Sequence, residues 1–285
     1  MENILEIKHL RKSYPNSNFK LEDISFSVPC GSIVGFIGEN GAGKTTTMGT
    51  IIGGLKKDSG SIKILGEEMD STKISKKEDI GVVFDDMNFS NNLDVDKLSK
   101  VMKNIYHQWN QEKFYHYIER FSLPKKQKIK DFSRGMSMKL SIAVALSHDP
   151  KLLILDEATS GLDPVVREEI LDVFLDFVGD KKRAILLSSH IISDIEKIAD
   201  YLIFIRKGKI ILQAEKQELL NDYTIVRCHK NEVATLKELN IVNYRRIGEE
   251  IEVLFSNKNS LPSKLNTMDF SVDNITMLLL KGEKS

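Results

Sequence analysis

Cysteine is nearly absent from this chain: two in 285 residues, Cys30 and Cys228, far apart and without metal-ligand spacing. That scarcity argues against a disulfide scaffold or a cysteine-based zinc module and fits two free thiols in a reducing compartment. Long apolar runs are missing too. The longest, such as IAVAL and MLLL, fall far short of the ~18 residues that cross a bilayer, and no charged-then-apolar leader opens the chain. The expectation is a cytosolic protein whose membrane business, if any, passes through a partner. Excess charge of one sign is also lacking, because 41 Lys and Arg balance 41 Asp and Glu. That removes any global electrostatic case for nucleic acid. Internal repeats and low-complexity linkers are not found. What remains is a globular composition, 41% hydrophobic and 29% charged, in a length that suits one large domain or two.

Short apolar strands alternate with helical stretches, which implies a largely parallel α/β sheet. ILEIKHL at 4–10 and KLEDISFSV at 20–28 open the series. SIVGFIG at 32–38 is a continuous apolar run suited to a strand buried on both faces. SIKILG, IGVVF, KLLILDE and RAILLSSH follow, and YLIFIRKGKIIL at 201–212 reads as a hairpin turning at Lys207-Gly208. From about 93 to 122 the spacing becomes helical, with Val95, Leu98 and Met102, then Phe114, Ile118 and Phe121, as core positions and Trp109 between two helices. A helix is expected over about 164–178. Composition shifts again near 222, where the tail reads as a strand, a hairpin turning near Gly248, and a short helix with an Asp or Asn cap.

Residues 38–45 read GENGAGKT, matching G-x-x-x-x-G-K-[ST] between a buried strand and a helix. Gly38, Gly41 and Gly43 let the backbone wrap against phosphate oxygens, with Asn40 in the same loop. The N–H groups from Gly41 through Ala42 to Thr45 are expected to point at the anion. Lys44 directs a full positive charge toward the β and γ phosphates, the Thr45 hydroxyl ligates Mg²⁺, and Thr46 reaches the α phosphate. This is a nucleotide site.

A second acidic element sits where an apolar strand ends. KLLILDE places Asp156 and Glu157 at the carboxyl end of its strand, where open α/β sheets bind ligands. Asp156 is the expected Mg²⁺ partner through water, and Glu157 can act as general base on an attacking water. His190 ends the next strand and is placed to contact the γ phosphate. In DFSRGMSMKLSIAVAL, at 131–146, Ser133, Arg134 and Gly135 stand at the mouth of an apolar helix. That mouth is either an ordinary cap or an anion site.

With GENGAGKT, LLILDE, SGLD and the SSH histidine in that order, the chain resembles the ATP-binding subunits of ABC transporters over about residues 1–220. The resemblance implies an α/β P-loop NTPase fold of the ABC type over 1–222. A helical subdomain would span about 93–149; beyond the resemblance, the tail's own pattern reads 223–285 as a small α+β appendix, for regulation or dimerisation rather than for binding cargo. The resemblance implies ATP and Mg²⁺ as cofactors. Ser133 and Gly135 would bind the γ phosphate of ATP held by a facing subunit, so that two ATPase chains, alike or different, stack head to tail. Asp163, in SGLD, would lie at that interface. Tyr14 would stack on adenine, unless it is simply an edge-strand tyrosine.

Three departures from the family pattern stand out. The signature, usually LSGGQ, is FSRGM, and Arg134 either attracts the phosphate or faces solvent. The loop after IGVVF usually carries a Gln that touches Mg²⁺ and senses the membrane subunit; here Asp85 stands there, followed by Asp86, with Asp85 a possible metal ligand. Glu39 replaces a common Pro. The resemblance further implies a separate membrane-spanning permease subunit and a place at the cytoplasmic face of the membrane. The variant signature looks like Gram-positive exporters of amphipathic peptides, phenol-soluble modulins among them, and self-immunity pumps for antimicrobial peptides. Export of a drug or lipid is an alternative. So is a soluble ABC ATPase acting on nucleic acid or macromolecular complexes, although the basic run KKQKIK at 125–130 suits a solvated loop better and no nucleic-acid partner is expected. A small-molecule kinase would use the same phosphate loop, but Glu157 favours hydrolysis.

Overall fold

The computed structural model describes residues 2–69, 78–85, 89–229, 240–258, 268 and 270–282. Strands β3 (Ile33–Ile37), β7 (Leu152–Asp156) and β8 (Ala184–Ser188) are buried at every residue. That explains why the sequence shows continuous apolar runs rather than alternation. They belong to a six-stranded sheet with β6 (Ile80–Phe84), β9 (Tyr201–Arg206) and β10 (Lys209–Glu215), in the order β10-β9-β3-β8-β7-β6. All its pairings are parallel except the β9–β10 hairpin. That hairpin turns at Lys207 and Gly208, both left-handed at φ 49° and 75°. A side chain at 208 would collide with the Lys20 carbonyl, so the turn also needs glycine for space.

The two faces of this sheet are covered differently. Ile185 and Leu187 of β8 point into a core shared with helices, including α2 (Val95–Ile105), α3 (Gln111–Arg120), α4 (Arg134–Leu146) and α5 (Pro164–Val178). Ala184 and Leu186 point the other way, toward α1 (Lys44–Ile51) and a second sheet. This second sheet is antiparallel and four-stranded, β2-β1-β4-β5, built from β1 (Asn3–Ser13), β2 (Lys20–Pro29), β4 (Ser59–Ile64) and β5 (Glu67–Glu68). The early strands thus form a layer of their own beside the parallel sheet. The six apolar positions expected in the helical stretch, from Val95 to Phe121, are all buried. Trp109 stands between α2 and α3, its ring 5.1 Å from that of Phe114.

The C-terminal part holds β11 (Thr224–His229), β12 (Ile241–Ile247) and β13 (Glu250–Phe255), an antiparallel sheet in the order β11-β13-β12. It has its own apolar cluster, with Val226, Val253 and Phe255 at its centre. Helices α6 (Ile192–Ile198) and α7 (Lys216–Asp222) precede it, and α8 (Val272–Lys281) closes the chain. The cap of α8 is Ser271, which accepts from Asn274 N–H, rather than the expected Asp or Asn. Ser271 has the extended backbone a cap needs, whereas Asp273 and Asn274 already lie in the first turn.

Candidate functional site: two clefts on one chain

GENGAGKT joins the end of β3 to α1 and borders a cleft of about 240 Å³ lined by Asn40, Gly41, Gly43, Lys44, Thr45, Thr46 and Glu157. Gly43 has φ 118°, and a Cβ there would come 2.7 Å from Leu21, so only glycine turns the chain into the helix. The first-turn amides of Lys44, Thr45 and Thr46 have no acceptor within the helix and remain available to an anion. Ala42 differs from the expectation: its N–H is spent on the Glu39 carbonyl at 3.1 Å, within the loop itself. Lys44, 6% exposed, arches back and donates to the Gly38 carbonyl at 2.7 Å.

Strand register brings the acids to the same place. Asp156 ends β7 opposite Ser188 of β8. Its Oδ2 accepts from the Thr45 hydroxyl at 2.6 Å, and its Oδ1 accepts from the Ser188 hydroxyl. Glu157 follows in a left-handed conformation, φ 55°, which for a non-glycine residue is a strained turn. The turn is braced by Glu157 N–H donating to the Ser188 carbonyl at 3.1 Å. Glu157 Oε2 lies 2.6 Å from His190 Nδ1 and also accepts from His190 N–H at 3.3 Å. The other oxygen, Oε1, is buried without a hydrogen-bond partner, 3.7 Å from Lys44 Nζ. A buried, unpartnered acceptor facing a phosphate loop fits a nucleotide site, because water or substrate can satisfy it. The paired hard oxygens of Thr45 and Asp156 fit Mg²⁺.

A second cleft, about 340 Å³, lies at the mouth of α4. Ser133 caps this helix, accepting from Met136 N–H at 3.2 Å. Gly135 lines the same cleft, as does Asp163, which caps α5 by accepting from Val165 and Val166 N–H, both at 3.1 Å. None of these three lines the phosphate-loop cleft.

The family model for ABC transporters matches residues 21–160. The lantibiotic transport ATP-binding protein SrtF of Streptococcus pyogenes is 36% identical over 214 residues, covering 74% of this chain and 91% of that protein. The chain belongs to the ABC transporter ATP-binding proteins. It is therefore an ATPase of that family. The uncharacterized ABC transporter ATP-binding protein YdbJ of Bacillus subtilis (strain 168) is 32% identical over 283 residues, 96% of this chain and 91% of that one. A solved structure of an ATP-binding subunit of an ABC transporter superposes with a TM-score of 0.69 at 26% identity, covering 76% of this chain and 91% of its own.

In this ABC ATPase, Tyr14 follows the end of β1, half-buried under Lys12 Nζ at 4.9 Å, and does not line the phosphate-loop cleft. Phe19 is the aromatic that does, a placement no local pattern announces. Ser188 joins the site through its register one strand over from Asp156, which no local sequence pattern announces. Asp85 follows the end of β6, and its carboxylate is engaged by Arg134 at 2.6 Å rather than by the Thr45–Asp156 pair. Asp86 lies outside the described residues.

Proposed function

We propose that this chain is the ATP-hydrolysing subunit of an exporter, closing head to tail with a second ATPase subunit around Mg-ATP. One observation carries the reading: the two clefts are separate and each is half-equipped. The phosphate-loop cleft has the charge and the base, while the signature cleft has helix-mouth donors with Ser133 and Gly135 but no nucleotide loop of its own. Facing pairs would complete each other.

In the assembled site, the loop amides and Lys44 would hold the phosphates, and Thr45 and Asp156 would hold Mg²⁺. Bound Mg²⁺ supplies charge neutralisation on the phosphate oxygens. Glu157 receives the proton of the attacking water at Oε1, while His190 fixes the carboxylate's orientation through Oε2. Ser188 holds Asp156 and the Glu157 turn in register. Asp163 keeps α5 capped beside Ser133 at the contact between subunits.

A separate membrane-spanning subunit would convert this cycle into export and hold the chain at the cytoplasmic face. Among the described residues no helix is long and apolar enough to cross a membrane. The name of SrtF as a lantibiotic transport protein supports a peptide cargo, amphipathic or antimicrobial. Residues 223–285, with their own sheet and apolar cluster, are read as a regulatory or dimerisation unit on a 1–222 ATPase domain. In the basic run at 125–130, Lys125 pairs with Glu119 and Lys126 with Asp96, which suits the solvated loop expected there.

The test is the mass of the Glu157→Gln variant with and without Mg-ATP. A dimer that needs ATP and is lost on Ser133→Arg supports the reading. A monomer that binds ATP but never pairs overturns the pairing of like chains.

A further inference from the structure

The two places where this chain departs most from its family's motifs touch one another. Arg134 stands at the signature position usually held by glycine, and Asp85 stands where glutamine is usual. Arg134 Nη2 donates to Asp85 Oδ1 at 2.6 Å, although 49 residues separate them. The guanidinium crosses Gly161 of the SGLD loop on the way. A Cβ on Gly161 would come 2.6 Å from Arg134 Nη1 and 2.8 Å from its Cζ. One side chain therefore spans the end of β6, the SGLD loop and the signature.

Arg134 is the first residue of α4, whose first turn contains no acid. A cation there opposes the helix dipole, so Asp85 supplies the missing anion from another strand. The same mouth carries Ser133 and Gly135 and lines the second cleft. An incoming phosphate thus meets a guanidinium already shared with a carboxylate. The hold is loose: the two side chains are 53% and 45% exposed, and such pairs are weak in water. A phosphate offers more charge and more acceptors to the guanidinium fork than one carboxylate oxygen does.

We propose that Arg134 is a further phosphate-binding residue of the signature cleft, and that Asp85 occupies it until the facing subunit's ATP docks. The inference rests on the head-to-tail reading above. Asp85 is then a positioning residue acting through Arg134, and the pair sets the ATP level at which the dimer closes.

The test titrates Mg-ATP against dimer mass in the full chain carrying Glu157→Gln. Asp85→Asn frees Arg134 and lowers the half-saturating ATP by about 3–5-fold, whereas Arg134→Gln raises it by about 5–10-fold. Adding Asp85→Asn to Arg134→Gln changes nothing further, since Asp85 has lost the group it acts through. Arg134→Lys, which keeps the charge without the fork, falls between parent and Arg134→Gln. ATP binding at protein concentrations too low for pairing stays the same in all four. An Asp85→Asn variant that needs more ATP, or acts equally with and without Arg134, overturns the proposal and leaves the pair as a brace for the helix. A parent that binds Mg-ATP but never dimerises overturns the pairing of like chains, and this inference for such a pair with it.

Discussion

In the phosphate-loop cleft, Lys44 is 6% exposed, Asp156 is 5% exposed, and each is tied to backbone or neighbouring hydroxyls. In the signature cleft, Ser133, Arg134 and Asp163 are all exposed, two of them as helix caps and one in a half-exposed ion pair. The first cleft is preorganised: its charges are aimed before substrate arrives, which is the condition under which electrostatics accelerates chemistry. The second holds nothing in reserve except donors at a helix mouth and an arginine on a loose tether. On the proposed reading, the first half-site binds nucleotide alone, whereas the second acts only against a ligand carried by the facing subunit.

Variants can sharpen that contrast. Glu157→Gln removes the base and should cut ATP turnover by ~10²–10⁴-fold while leaving nucleotide binding intact, as a steady-state assay beside a binding titration would show. His190→Ala frees the Glu157 carboxylate and should cost ~10²-fold in turnover, the usual penalty for a misaimed group; recovery of turnover in His190→Asn, which can still donate, would confirm an orienting role. Ser133→Ala should cost less, about tenfold in turnover with ~1 kcal/mol of stability from the lost cap. Its signature is that ATP binding by the isolated chain does not change. If single-chain binding fell as well, the two clefts would not be independent.

Glu252→Gln is the control, since Glu252 lines neither cleft. Burial raises the Glu252 carboxyl, but Arg227 and Arg245 outweigh it and hold the group below the usual carboxylate range. A lowered folded value means its stabilising contribution is present above the unfolded value, about 4.3, and fades as pH falls through the folded one. The variant should melt below the parent at pH 7, converge with it in acid, and turn over ATP normally.

Much of this was legible from the chain alone, and the reason is local. GENGAGKT, the apolar run into Asp156 and the helix at Pro164–Val178 are contiguous signals whose geometry follows from spacing. The separate antiparallel layer was not legible, because β1 and β2 alternate only roughly and an isolated strand does not name its sheet. Nor was the partnership of Asp85 with Arg134, or of Asp156 with Ser188: each joins residues tens of positions apart, and only the folded arrangement of helix against strand or of neighbouring strands brings them together. Phe19 escaped for the same reason, while the Asp or Asn cap of α8 failed by a shift of two or three residues.

Strand β3, which delivers the phosphate loop, lies between β8 and β9, so that Val34 pairs with both Leu186 and Tyr201. Its neighbours are therefore made some 150 residues after it. At the ~5–20 residues per second of synthesis, the loop waits roughly 8–30 s for the strands that hold it. During that wait an apolar strand has no sheet to join, and pairings this distant in sequence are slow to close. Nucleotide affinity is thus acquired late, only after β8 and β9 have been made at residues 184–206, and a ribosome-bound fragment ending before β8 should carry the whole of GENGAGKT and bind no ATP.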